Sequence, residues 1–121
     1  MIDKFRFQEK VGNKKNYCNT FGLFKNNGKI NKIAQYKLYQ VGDNDFYWLH
    51  LPDKEIFYVI PEHILKEHGY ISEKNEIISG RKWLTLNPNN IKSINYEWTI
   101  DYMFKYDNND VDKLNKLIQL R

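Results

Sequence analysis

The chain opens on an alternation. Phe5, Phe7 and Val11 share one parity, and Lys4, Arg6, Gln8 and Lys10 share the other. A strand from Asp3 to Val11 would therefore carry one apolar and one basic face. Residues 12–16 read as a turn with basic tips. Tyr17 to Phe24 alternates again and predicts a second strand, with Tyr17, Asn19, Phe21 and Leu23 on one side. Asn26-Asn27-Gly28-Lys29 has turn chemistry and is expected to close it, which leaves Lys25, Lys29 and Lys32 on a basic loop. Tyr36 to Gln40 fits a short helix or a strand equally well.

The densest apolar runs are Phe46–Leu51 and Ile56–Ile60, separated by Pro52-Asp53-Lys54-Glu55. They predict a hairpin covered on both faces, at the centre of the fold. Pro61 sits where a helix starts and Gly69 where it stops, so Glu62–His68 is expected to be helical with Ile64 and Leu65 inward. Tyr70-Ile71 is a brief extended piece, and residues 72–80 form an exposed loop. Trp83–Leu86 is a strand stopped by Asn87-Pro88. Residues 96–106 are a helix or an irregular aromatic segment. The last element is a helix capped by Asp110, with Val111, Leu114, Leu117 and Ile118 in one stripe and Arg121 at its end. Its mixed-charge polar face favours core or dimer packing over membrane anchoring. The expected class is α/β in a single domain: a mixed sheet of about four or five strands with a short middle helix and a C-terminal helix packed on it.

Charge changes this picture through its distribution. Residues 1–40 hold nine Lys or Arg against two acids, a balance of +7, whereas residues 41–121 hold ten against thirteen, −3. A basic first third suits a polyanion meeting one face, against the plainer reading of a solvated lysine surface. Cys18 is the only cysteine, so neither an intrachain disulfide nor a cysteine-based zinc site can form within one chain. No apolar stretch approaches membrane-spanning length, and an intracellular location is expected, in the cytoplasm or a host nucleus.

Gln8 and Lys10 stand side by side on the basic face of the first strand, with the Gln-x-Lys spacing of one half of a metal-dependent nuclease site. Beyond them come Asp43-Asn44-Asp45-Phe46-Tyr47-Trp48, then Phe57-Tyr58-Val59-Ile60-Pro61-Glu62, then Leu65 to Gly69-Tyr70-Ile71. In this order the chain resembles PD-(D/E)XK nuclease-like proteins of large DNA viruses, and it is similar to homing endonucleases that use a Gln-x-Lys version of the motif. The resemblance implies a restriction-endonuclease-like fold and Mg²⁺-assisted hydrolysis of a DNA phosphodiester. It implies that Gln8 supplies a carbonyl oxygen to the metal and that Lys10 is the catalytic lysine, positioning or activating water.

In that family an aspartate comes from a strand before the Gln-x-Lys strand. Here Asp3 is the only upstream acid, roughly 16 Å from Gln8 along a strand and on the opposite face. Glu9 also faces away, and Asp43 and Asp45 are better read as turn formers. The expectation is thus a partial fold: the rear portion of a nuclease, a degenerate paralogue retained for binding, or a chain whose first strands are encoded upstream.

His63 and His68 lie five apart, about 140° around a helix, which is wrong for a zinc pair. His50 is expected to be structural. Tyr17, Phe21, Tyr36, Tyr39 and Tyr47 are interleaved with lysines, a pattern that suits base stacking, although strand aromatics more often form the core. The leading expectation is a DNA-binding, nuclease-derived domain. Its phosphate contacts would come from Arg6, Lys14, Lys15, Lys25, Lys29 and Lys32, and Mg²⁺ would matter only if a missing carboxylate is supplied. The alternative is a non-catalytic interaction module. The expected partners are DNA and either a second copy or a complementing nuclease fragment, with no membrane.

Overall fold

The computed structural model describes residues 5–15, 18–106 and 111–119. Asp3, Lys4, Tyr17, the Asp110 cap and Arg121, all named above, lie outside them. The strands run β1 Phe7–Val11, β2 Asn13–Lys15, β3 Cys18–Gly22, β4 Phe24–Ile30, β5 Ile33–Gln40, β6 Phe46–Leu51, β7 Ile56–Pro61, β8 Ile71–Ser72, β9 Trp83–Leu86 and β10 Met103–Lys105. The helices are α1 Glu62–Glu67, α2 Tyr96–Thr99 and α3 Val111–Gln119.

The class is α/β with mixed pairing, as expected, but the strands divide among more than one sheet. The four-stranded sheet has the order β1-β6-β7-β10, and two three-stranded sheets have the orders β2-β3-β9 and β4-β5-β8. The predicted hairpin is its centre: β6 pairs antiparallel with β7, joined by a 3-10 turn at Pro52–Lys54 that ends on Glu55 in the left-handed region (φ 54°). On the other side of β6 lies β1, paired parallel, with Gln8 opposite Tyr47 and Lys10 opposite Leu49.

Both faces of the hairpin are covered, which is why its strands read as nearly continuous apolar runs. Tyr47, Leu49, Leu51, Tyr58 and Ile60 pack with Phe21, Leu23, Leu84 and Leu86, which the β2-β3-β9 layer and its neighbours bring over that face, and with Leu65 of α1. Phe46, Phe57 and Val59 look the other way. There they meet Phe104 and Ile118, with Phe5, Phe7, Leu114 and Leu117 around them. Of the stripe expected on the terminal helix, Leu114, Leu117 and Ile118 are therefore core packing. Phe5 and Phe7 behave as their parity predicts, but Val11, at the end of β1, is 66% exposed, with none of the described residues covering it there.

Five local expectations change or resolve. Residues 13–15 are not turn but a short strand paired with β3. Asn26-Asn27-Gly28-Lys29 does not close the second strand. Gly28 (φ 83°) sits inside an irregularity of the β4–β5 ladder, Asn26 Oδ1 accepts its N–H at 2.6 Å, and pairing resumes at Lys29 opposite Ala34. The chain reverses three residues later at Asn31 and Lys32, both at positive φ (51° and 68°). Lys25, Lys29 and Lys32 are thus on a hairpin and not in a loop, and residues 36–40 resolve as strand. The segment after residue 95 splits into α2, a 3-10 turn at Ile100–Tyr102, and β10 against β7.

Candidate nucleic-acid interface

Parallel pairing fixes the first strand's faces. Gln8 and Lys10 lie opposite Tyr47 and Leu49 and share their side of the sheet, together with Arg6; Glu9 lies opposite Trp48 and faces the reverse. The start of β1 is locked to β6 at Asp45. Its Oδ2 accepts the Arg6 N–H at 2.8 Å, and the Arg6 carbonyl accepts the N–H groups of Asp45 and Phe46. The Arg6 side chain is 62% exposed, with Nε 3.7 Å from the same carboxylate. Past this anchor, the outer edge of β1 pairs with no other strand among the described residues.

Lys10 is half-buried, its Nζ 5.4 Å from the centre of the Tyr39 ring. No acid pairs with it among the described residues, and burial alone pushes its ammonium below the usual lysine range. Lys25 reaches the same ring from β4, with Nζ 5.9 Å from its centre. Tyr39 meets Tyr47 edge-on at 5.2 Å, so one aromatic pair carries two cationic side chains. Burial, reinforced by the Asp43 carboxylate, holds the Tyr39 phenol above its ordinary value.

Lys25 also pairs with Asp43, Nζ to Oδ2 at 2.5 Å, and the same oxygen accepts the Gln40 N–H at 2.8 Å. Burial pushes the Asp43 carboxyl up, but the Lys25 hydrogen bond, the Gln40 N–H and the charges of Lys25 and Lys37 outweigh it, so the group lies below the usual carboxylate value. Asp43 and Asp45 are thus turn and anchor residues, as their position before Phe46 predicts.

The remaining site residues separate. Lys29 and Lys32 are exposed on the free end of the β4–β5 hairpin. Lys14 and Lys15 are placed by their backbone on β2. Gln8 is half-buried, with Nε2 3.4 Å from the Glu9 carbonyl. On the opposite face, His50 is held by the Tyr106 hydroxyl at 3.0 Å and by Glu9 at 3.4 Å, beside an open cleft of about 450 Å³ that Lys10, Val11 and Pro52 also line. His68 stacks on Trp98 at 3.9 Å. Both contacts are structural.

Among the described residues, no three His, Cys, Asp or Glu side chains converge as a metal site. Gln8 offers one neutral oxygen, whereas Mg²⁺ takes an octahedral oxygen shell that usually includes a carboxylate. The described side chains therefore do not make up a magnesium site, and no hydrolytic step follows from them. Of the interleaved aromatics, Phe21, Tyr39 and Tyr47 are buried and serve the core. Tyr36 is half-exposed, its ring edge-on to Phe24 at 5.3 Å and 5.1 Å from the Arg81 guanidinium.

Sequence reasoning named Tyr39 only among the interleaved aromatics and did not foresee that Lys10 and Lys25 meet over its ring, because nothing local says that strands 29 residues apart will meet. It also passed over one available signal: from Lys10 to Gly42 the chain has seven lysines and no acid. Comparison with protein-family models, with curated proteins and with solved structures found no match.

Proposed function

We propose that this chain is a DNA-binding domain derived from a nuclease, acting chiefly by binding. The observation that carries the reading is the acid-free, lysine-bearing segment between Glu9 and Asp43. Within it, Lys10 and Lys25 converge on Tyr39, at the root of a hairpin whose free end presents Lys29 and Lys32. Cations spread over one strand end and one projecting ribbon suit a phosphate backbone, whose affinity for protein is dominated by such contacts. Lys14 and Lys15 on β2 extend the same segment.

The nuclease ancestry rests on the Gln-x-Lys strand. A lysine with a depressed pKa, paired with no acid among the described residues and beside a glutamine amide, is what a phosphodiester site would ask of that strand. The outer edge of β1, unpaired among the described residues, is where a preceding, aspartate-bearing strand would pair, and this supports reading the sheet as part of a restriction-endonuclease-like fold. Mg²⁺-dependent cleavage would require a carboxylate from another polypeptide or from outside the described residues.

Fluorescence anisotropy on a labelled duplex across a salt series tests binding. Affinity that falls steeply and linearly in log–log form supports the proposal, and salt-independent or absent binding overturns it. Nicking of supercoiled plasmid with Mg²⁺, abolished in Lys10→Ala, would show that the site is complete.

A second reading has its own observation. An exposed sheet edge invites strand addition, and β1 presents one among the described residues, so the domain would pair with a second copy or a complementing fragment. Sedimentation equilibrium separates the two, since a β-paired dimer forms without DNA and persists in salt.

A further inference from the structure

The β4–β5 ribbon is anchored only at its root. On β5, Tyr39 and Gln40 pair with β8, and Tyr36 to Leu38 are bonded to residues 78–80. Beyond Tyr36 the ribbon pairs only with itself among the described residues, and Asn26 to Ile33 are all exposed. From the Asn26–Tyr36 pair to the tip it extends roughly 13 Å at strand rise.

The composition of that free end is unusual for a solvated arm. Ile30 and Ile33 are cross-strand partners on one face, 63% and 67% exposed, and belong to neither hydrophobic cluster of the described residues. Lys29 precedes Ile30 on β4, opposite Ala34, and so projects from the other face of the ribbon. Lys32 occupies the second position of a tight turn at φ 68°, where glycine is the unstrained choice. A cation is thus held at a strained tip next to a bare apolar pair, and strain of this kind clusters where function demands it. No acid lies on the ribbon.

Building on the DNA reading above, we infer that the free end of the β4–β5 ribbon enters the major groove of duplex DNA. Ile30 and Ile33 meet thymine methyl groups there, and Lys29 and Lys32 sit on the flanking phosphates. The dimensions agree: a two-stranded ribbon fits a groove about 12 Å wide and 8.5 Å deep. Major-groove thymine presents the apolar partner that the isoleucine pair lacks, and the acid-free arm complements the polyanion that surrounds it. The ribbon thereby gives base preference to a domain whose other lysines read only charge.

The test compares alternating poly(dA-dT) with its deoxyuridine counterpart, which differs only in lacking the major-groove methyls. Wild type is expected to bind the thymine polymer about fourfold more tightly for each methyl engaged. The Ile30→Ser, Ile33→Ser double variant should lose that difference while keeping the wild-type salt dependence. Both positions are exposed, so the fold is not at stake. Equal wild-type affinity for the two polymers, with steep salt dependence retained, overturns the ribbon's role and leaves DNA binding standing. Absence of salt-dependent binding to either polymer overturns both.

Discussion

Replacing Lys29 and Lys32 together by alanine isolates the charge that the ribbon offers to DNA. Both side chains are exposed and lie on a segment without acids, so each contacted phosphate releases its counterions in full. Two lost contacts flatten the slope of log affinity against log salt by about 1.8 units, 0.9 for each lysine. Between 50 and 200 mM salt that amounts to roughly a tenfold smaller loss of affinity than wild type suffers. Lys25→Ala is the internal control. Its ammonium is already paired with Asp43 at 2.5 Å, so its removal should change the slope by well under half a unit while lowering stability. The assay is fluorescence anisotropy on one duplex at five or six salt concentrations, with thermal melts alongside. A double variant whose slope matches wild type would refute the reasoning. So would Lys25→Ala flattening the slope as much as the double variant does, since the Asp43 pair would then not neutralise Lys25.

Asp43→Asn should cost about 1–2 kcal/mol in urea denaturation, between the worth of exposed and buried pairs, because both partners are partly covered. The Asp43 carboxyl is held below its ordinary value of 3.8. Its contribution is therefore complete above the usual carboxylate range and is lost as pH falls through that range to the lowered value. The variant should show a flatter acid limb, and parallel wild-type and variant curves below pH 5 would contradict this. Lys10→Met should raise stability at neutral pH, since the charged lysine is desolvated with no acid paired to it among the described residues. A depressed lysine pKa makes that cost full below the folded value and relieves it as pH rises toward 10.5, so the advantage should shrink in alkaline melts. Loss of stability in Lys10→Met at pH 7 would instead make Lys10 a structural residue. Leu49→Ala, at a fully buried position in the central strand, should cost about 2–5 kcal/mol by chemical denaturation. A smaller cost would mean that the layer over that face collapses into the cavity.

Local periodicity determined a good part of this protein. The Phe46–Leu51 and Ile56–Ile60 hairpin, the helix between Pro61 and Gly69, the Trp83–Leu86 strand and the amphipathic terminal helix were all legible, because each depends on side-chain spacing and turn residues within about ten positions. The parity of β1 likewise put Gln8 and Lys10 on one face before any partner strand was known. Tertiary structure decided what spacing cannot encode. Gly28 carried turn chemistry, yet the ladder absorbed it as an irregularity and moved the reversal to Asn31 and Lys32, since continued cross-strand pairing outweighed the local signal. Tyr39, ambiguous on its own strand, became the ring that Lys10 and Lys25 share only when β5 came beside β6. Charge is written in the sequence, but which charges remain available is not. Lys25 is neutralised by Asp43, 18 positions away, while Lys29 and Lys32 pair with no carboxylate among the described residues, because the ribbon carries them away from the rest of the fold. A site is a meeting of distant residues in space, and the energy that arranges it comes from the packing of the layers beneath.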